Sequence, residues 1–151
     1  MSNNSLLQYL NESQFTSLHV TNATGTDLVI SLDPDHTWLT NNNSLYIAPD
    51  QYGITGTYIT TEPVTTQDNT QINGAQLEFA DGKAIQYSAT TNTTTLQQLL
   101  EQTKDSTYVE TIHLSKNKIS LQLDASFNAT DCTIVAIDTI GTKTDITEHF
   151  Q

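Results

Sequence analysis

Two rhythms run through the apolar positions of this chain. Leu6, Leu7 and Leu10 recur at helical spacing near the start, and Leu96, Leu99 and Leu100 do so after a Thr-rich stretch at 90–95. Thr94 with Gln97 has the spacing of a capping box for the second helix. Almost everywhere else the period is two, the pattern of a strand with one buried face. It predicts strands around Ser17–Thr21, Thr26–Leu32 (opened by a turn at Gly25), His36–Thr40, Ser44–Ile47, Gly53–Thr61, Tyr108–Leu114, Ile119–Leu123, Thr133–Ile140 and Asp145–Phe150. Asn41–Asn43 reads as a tight turn between two of them. Two short helices among so many strands define an α+β domain made mainly of antiparallel sheet, and no linker or repeat divides residues 1–151.

The clearest local signal is GAQLEFADGKAIQYS at 74–88. A two-residue loop at Asp81-Gly82 would set Leu77 against Gln86. A three-residue loop, Ala80-Asp81-Gly82, pairs Leu77 with Ile85 and Ala75 with Tyr87 instead. Keeping apolar residues together favours the second register, a hairpin with a glycine bulge at its tip.

Charge narrows the function classes. Seventeen acids face five bases, all lysines, for a net charge of −12. A chain this acidic and without arginine has no basic face for phosphate, which excludes nucleic acid and argues against an anionic membrane surface. It favours a basic or cationic partner. Cys132 is alone, so no internal disulfide forms, and its place before a strand marks it as a small core residue. The first residues carry neither a positive n-region nor a long apolar stretch, so the expected location is the cytoplasm. Six N-x-S/T sequons, at Asn3, Asn11, Asn22, Asn42, Asn92 and Asn128, follow from the Asn- and Thr-rich composition and without export carry no meaning.

One residue breaks the apolar pattern. In TIVAIDTIGT, residues 133–142, a strand places Ile134, Ala136, Asp138 and Ile140 on one face. A buried carboxylate without partners costs several kcal/mol, so a metal, a hydrogen-bond network or water at the strand end has to compensate Asp138. Other candidate chemistry is sparse. His19, His36 and His149 have no ligand-like spacing, and in a strand His113 points away from Glu110. There is no H-E-x-x-H, no C-x-x-C, no phosphate loop and no G-x-S-x-G elbow. Tyr46, Tyr52, Tyr58, Tyr87 and Tyr108 read as strand residues covering the edges of the core.

The order of segments nevertheless resembles a family. Gly25-Thr26-Asp27-Leu28 followed by Trp38, the Asp81-Gly82-Lys83 hairpin with its Leu-rich helix, and the closing AIDTIG are similar to stretches of the aminopeptidase T-like metallo-aminopeptidases. The resemblance implies the C-terminal, metal-bearing half of such enzymes, without the α/β domain that precedes it. It also implies a two-metal exopeptidase whose ions are held by two glutamates, two histidines, a tyrosine and an aspartate. Carried over position by position, the first glutamate is replaced by Tyr52, the histidines by Ser120 and Ala136, and the tyrosine by Phe127. Only Glu110 and Asp138 survive.

Two carboxylates do not make a co-catalytic site, because a catalytic zinc needs three protein ligands and two-metal chemistry needs more. The expectation is therefore no catalytic residue, no cofactor and no metal, with a weak divalent-cation site at Glu110 and Asp138 left open. The reading is a non-catalytic binding or assembly module that works through a homodimer or a protein partner. Two alternatives stand beside it: a metal-dependent aminopeptidase, by itself or completed by another chain, and an unrelated acidic β-rich binding domain.

Overall fold

Helix α1 (Asn3–Glu12) turns the first leucine stripe inward, burying Leu6 and Leu10, and Asn11 then ties the helix to the chain ahead. The Asn11 amide accepts from the Trp38 N–H at 2.8 Å and donates to the Trp38 carbonyl at 3.2 Å. The computed structural model describes residues 3–41, 44–102, 107–115, 118–123 and 125–150, with no side-chain description at 3, 4, 41, 149 and 150.

Fourteen strands follow among the described residues: β1 (Phe15–Thr21), β2 (Asp27–Leu32), β3 (Leu39–Asn41), β4 (Ser44–Ile47), β5 (Pro49–Ile59), β6 (Val64–Thr65), β7 (Gln71–Ile72), β8 (Gln76–Ala80), β9 (Lys83–Ser88), β10 (Thr111–Ser115), β11 (Lys118–Gln122), β12 (Ser126–Thr130), β13 (Thr133–Asp138) and β14 (Lys143–Asp145). Helix α2 (Thr93–Leu100) lies between β9 and β10. A seven-stranded antiparallel sheet runs β14-β13-β1-β2-β5-β8-β9, a five-stranded one runs β12-β11-β10-β4-β3, and β6 pairs with β7. The expected α+β class, mainly antiparallel sheet with two helices, is what the chain adopts.

The inner faces of both large sheets and the leucines of both helices form one apolar core. Tyr58 joins the sheets from within. Fully buried on β5, its hydroxyl donates to the Phe127 carbonyl at 2.7 Å, with the Ile119 carbonyl at 3.1 Å. Burial, reinforced by nearby negative groups, pushes its ionisation well above the ordinary phenol range.

Four local expectations are corrected. The β8–β9 hairpin has the two-residue loop, Asp81 (φ 52°) and Gly82 (φ 83°), between paired Ala80 and Lys83. Ile85 bulges out one step inside the strand, so Leu77 faces Tyr87 and Glu78 faces Gln86. The bulge restores the apolar match that the short loop alone would break, and it leaves Ile85 55% exposed. Second, the capping box at Thr94 and Gln97 does not form. The helix starts at Thr93, after Asn92 in a left-handed conformation (φ 60°) whose amide donates to the Gln71 carbonyl rather than capping.

Third, the last segment is split between β14 and a 3-10 turn at Thr147–Phe150, because Asp145 accepts the Thr147 N–H at 2.9 Å and bends the chain. Fourth, β6, β7 and β12 were not foreseen, and the strand expected from His36 begins only at Leu39. The Asp33–His36 turn, closed by the His36 N–H on the Asp33 carbonyl at 2.9 Å, takes the intervening residues.

Candidate functional site

Pairing in the five-stranded sheet fixes where the carried-over ligand positions point. Ser120 lies opposite His113 on one side and Asn128 on the other, so it belongs to the face turned away from Phe127; it is buried there, and the Gln122 amide donates to its hydroxyl at 2.7 Å. Phe127 lies opposite Leu121 and is fully buried on the inner face. Neighbouring positions in a strand point to opposite sides, so Ser120 and Phe127 lie on opposite faces of the sheet, and the phenylalanine ring offers no donor at all. Ala136, fully buried on β13, offers no donor. Glu110 precedes β10 with its side chain exposed, and its backbone N–H donates to the Gln122 carbonyl at 2.7 Å.

Asp138 ends β13 instead of interrupting it. Its Oδ1 accepts the N–H of Ile140 at 3.0 Å and of Thr142 at 2.9 Å, while its backbone N–H donates to the Thr142 carbonyl and its carbonyl accepts from Gly141. The strand has turned by residue 140, and Ile140, expected on the buried face, is 85% exposed. Of the compensations Asp138 required, the structure supplies a hydrogen-bond network at a strand end. Glu110 and Asp138 belong to different sheets and share no hydrogen bond.

Such a donor set does not fit a two-metal centre. One oxygen of Asp138 is engaged twice, the two middle positions face opposite ways, and among the described residues no three His, Cys, Asp or Glu side chains gather where they could hold an ion. Three histidines have local partners: His19 Nε2 sits 2.6 Å from Asp27, His36 Nδ1 sits 2.7 Å from the Asp33 carbonyl, and the His113 ring packs on Tyr46 at 5.6 Å; the side chain of His149 lies outside the described residues. Cys132 is buried, as expected, and burial pushes its thiol up, away from reactive thiolate.

What the fold does bring together lies at one end of the seven-stranded sheet. Gly82 packs so tightly on Gln51 and Tyr52 that a Cβ there would stand 1.8 Å from the Gln51 carbonyl oxygen. Lys83 bridges to Tyr108, whose ring meets that of Tyr52 edge-on at 6.1 Å. The start of β5, the hairpin tip and the approach to β10 thus form one surface. Beside it a cleft of about 480 Å³ is bounded by Lys83, Ile85, Tyr87, Leu100, Glu101 and Thr107. The Tyr87 hydroxyl donates to the Glu101 carboxylate, which pushes the phenol's ionisation up. Tyr52, 63% exposed, departs from the expectation that the tyrosines cover core edges, and Ile85, expected opposite Leu77, is 55% exposed. The signal for this surface in the sequence was Asp81-Gly82, a tip that holds its neighbours only once folded.

A two-sheet α+β domain with these elements defines a structural class, and the comparisons place the chain within it. A family model described as thermophilic metalloprotease (M29) matches residues 2–130, and the chain belongs to that family. Glu110, Ser120 and Phe127 fall inside the match, whereas Ala136 and Asp138 fall beyond it. The family match removes the reading of an unrelated β-rich domain. Among solved structures, wild-type AmpT from Thermus thermophilus is similar over 94% of this chain and 51% of its own, with TM-score 0.81 and 16% identity. 2,5-Dihydroxypyridine dioxygenase from Pseudomonas putida KT2440 is similar over 88% and 56%, with TM-score 0.69 and 11% identity. The chain spans about half the length of both, and at these identities the likeness shows the fold alone. No curated protein matches the sequence. No helix among the described residues is long and apolar enough to cross a membrane.

Proposed function

We propose that this chain is a non-catalytic member of the metallopeptidase family, a binding or assembly module and not a peptidase. The observation that carries the reading is the donor chemistry: where the resemblance sets a histidine and a tyrosine as metal ligands, this chain has Ser120, whose hydroxyl accepts from the Gln122 amide, and the fully buried Phe127. Asp138 supports it, because its carboxylate is committed to backbone N–H groups. The fold is compatible with other roles, since one structure that shares it is named a dioxygenase.

The test is direct. Protein supplied with zinc, cobalt or manganese is incubated with leucyl and phenylalanyl chromogenic substrates, and release should not exceed the buffer control. Metal-dependent release that Glu110→Ala abolishes would overturn this reading in favour of the alternative, a metal-dependent aminopeptidase.

A further inference from the structure

The surface at Tyr52 and Tyr108 has the chemistry of a docking site. Tyr52 and Ile85 expose large apolar side chains, and the cleft beside them has Leu100 and Ala84 as its apolar floor. Thr107 also lines that cleft; it is 7% exposed, and its hydroxyl has no hydrogen-bond partner among the described residues. A buried hydroxyl left unpaired is unfavourable, so the wall of the cleft carries a polar demand that the described residues do not meet.

Around this apolar centre the charges are mostly of one sign. Glu101 lines the cleft, Asp81 forms the hairpin tip, and Glu110 follows Tyr108 by two residues; all three are exposed. Lys83 is the one base of this rim among the described residues. Tyrosine rings beside carboxylates favour guanidinium or ammonium groups, by cation–π attraction and by charge-assisted hydrogen bonds. A second copy of the chain is a poor occupant, because it also carries −12 and has no arginine to offer.

We infer that this face binds a basic segment of another protein, with an apolar side chain against Ile85 and Leu100 and a Lys or Arg side chain at Glu101 and the tyrosines. The inference rests on the binding-module reading and names its partner.

Fluorescent octapeptides test it by anisotropy at about 0.15 M salt, where charges beyond about 8 Å are screened. The expected result is saturable binding of an alternating Arg–Leu peptide, with Glu–Leu and Arg–Ser peptides at least about tenfold weaker, a difference of about 1.4 kcal/mol. Glu101→Gln, Tyr52→Ala and Ile85→Ser should each weaken the Arg–Leu peptide about fivefold. Asp27→Asn, at the other end of the sheet, should not. All four positions are solvent-facing, and unchanged melting temperatures confirm that the variants fold.

Absence of binding overturns the proposal. So does equal binding of the Arg–Ser peptide or an equal loss in Asp27→Asn, either of which reduces the effect to overall charge. A dimer that Tyr52→Ala dissociates in sedimentation also overturns it, by assigning the face to self-association. Amino-acid release in the zinc assay bears instead on the non-catalytic reading, so the two failures are distinguishable.

Discussion

The turn at Asp138, on β13, and the face at Tyr52 and Tyr108, beside β8 and β9, lie toward opposite ends of the strand order of the seven-stranded sheet, and they treat polarity in opposite ways. At Asp138 every demand is met from within: two N–H groups on one oxygen and two backbone bonds around them. At Tyr52 and Tyr108 the demand is left open, with exposed rings, an exposed Ile85 and an unpaired Thr107 hydroxyl. A carboxylate with one oxygen already held by two backbone N–H groups is oriented by the turn it closes, however suggestive its position in a motif. A surface with unmet demand is the better place to look for function.

The largest expected effect separates the two ends through their glycines. Gly82 has a positive φ, and a Cβ there would collide with the backbone of Gln51 and Tyr52. Gly141, in the Asp138 turn, also has a positive φ, but a Cβ would meet nothing within 4 Å. Gly82→Ala should therefore cost about 3 kcal/mol, steric displacement added to strain, and Gly141→Ala about 1 kcal/mol from strain alone. Urea midpoints measure both. Equal losses would mean that the hairpin tip is not seated on β5 as described.

Next in size is the joint on which both ends depend. Tyr58→Phe removes the hydroxyl between the sheets and should cost about 1–2 kcal/mol. The same group dictates an alkaline limit. Its folded ionisation lies above the unfolded value of about 10, so the native state keeps a proton that the unfolded chain loses. The contribution is complete below about pH 10 and declines as pH rises through the folded value. Melting temperatures from pH 8 to 11 should show a steeper alkaline fall in the wild type than in Tyr58→Phe.

How much of this was legible in the sequence depends on what each feature answers to. Period-two alternation found the strands that bury a stripe, such as β2 and β13, because burial imposes the pattern. β12, Ser-Phe-Asn-Ala-Thr, escaped because its outward residues resemble a turn, and without it the opposite facing of Ser120 and Phe127 was invisible. The hairpin register answered to two left-handed residues at the tip, not to apolar matching, and the bulge at Ile85 reconciled the two. Asp138 was seen as an anomaly, but its role depended on where the strand ended.

A signal for that role was available. Asn22, Asp33, Asp50, Asp68, Asp138 and Asp145 each accept the backbone N–H two residues on, and Thr stands there after Asn22, Asp68 and Asp145. Asx-x-Thr is a turn signature in this chain. The sequon at Asn22 is one of these turns, and part of the acidity that seemed to advertise a partner serves to close loops.

That role gives the third prediction. Asp138→Ala removes the acceptor of two N–H groups and should cost about 1 kcal/mol, whereas Asp138→Asn keeps an oxygen in the same place and should stay within about 0.5 kcal/mol of the wild type. Thermal melts with and without a chelator decide it. If Asn costs as much as Ala, and a chelator reproduces the loss in the wild type, the charge rather than the oxygen matters, and a cation is bound at the closed end after all.

The smallest effect should carry the opposite sign. Thr107 holds a buried hydroxyl that finds no partner among the described residues, so in the free protein it contributes desolvation cost without a compensating bond. Valine keeps the branched shape and removes the cost. Thr107→Val should then be neutral or stabilising by up to about 1 kcal/mol, against the loss expected for Asp138→Ala. If the hydroxyl serves whatever enters the cleft, the same substitution should weaken the Arg–Leu peptide while leaving the fold no less stable. A site that gains stability when its polar group is removed, and loses binding at the same time, holds that group for a ligand. A destabilised Thr107→Val protein would mean that the hydroxyl is paired within the fold, and the contrast between a closed and an open end would collapse.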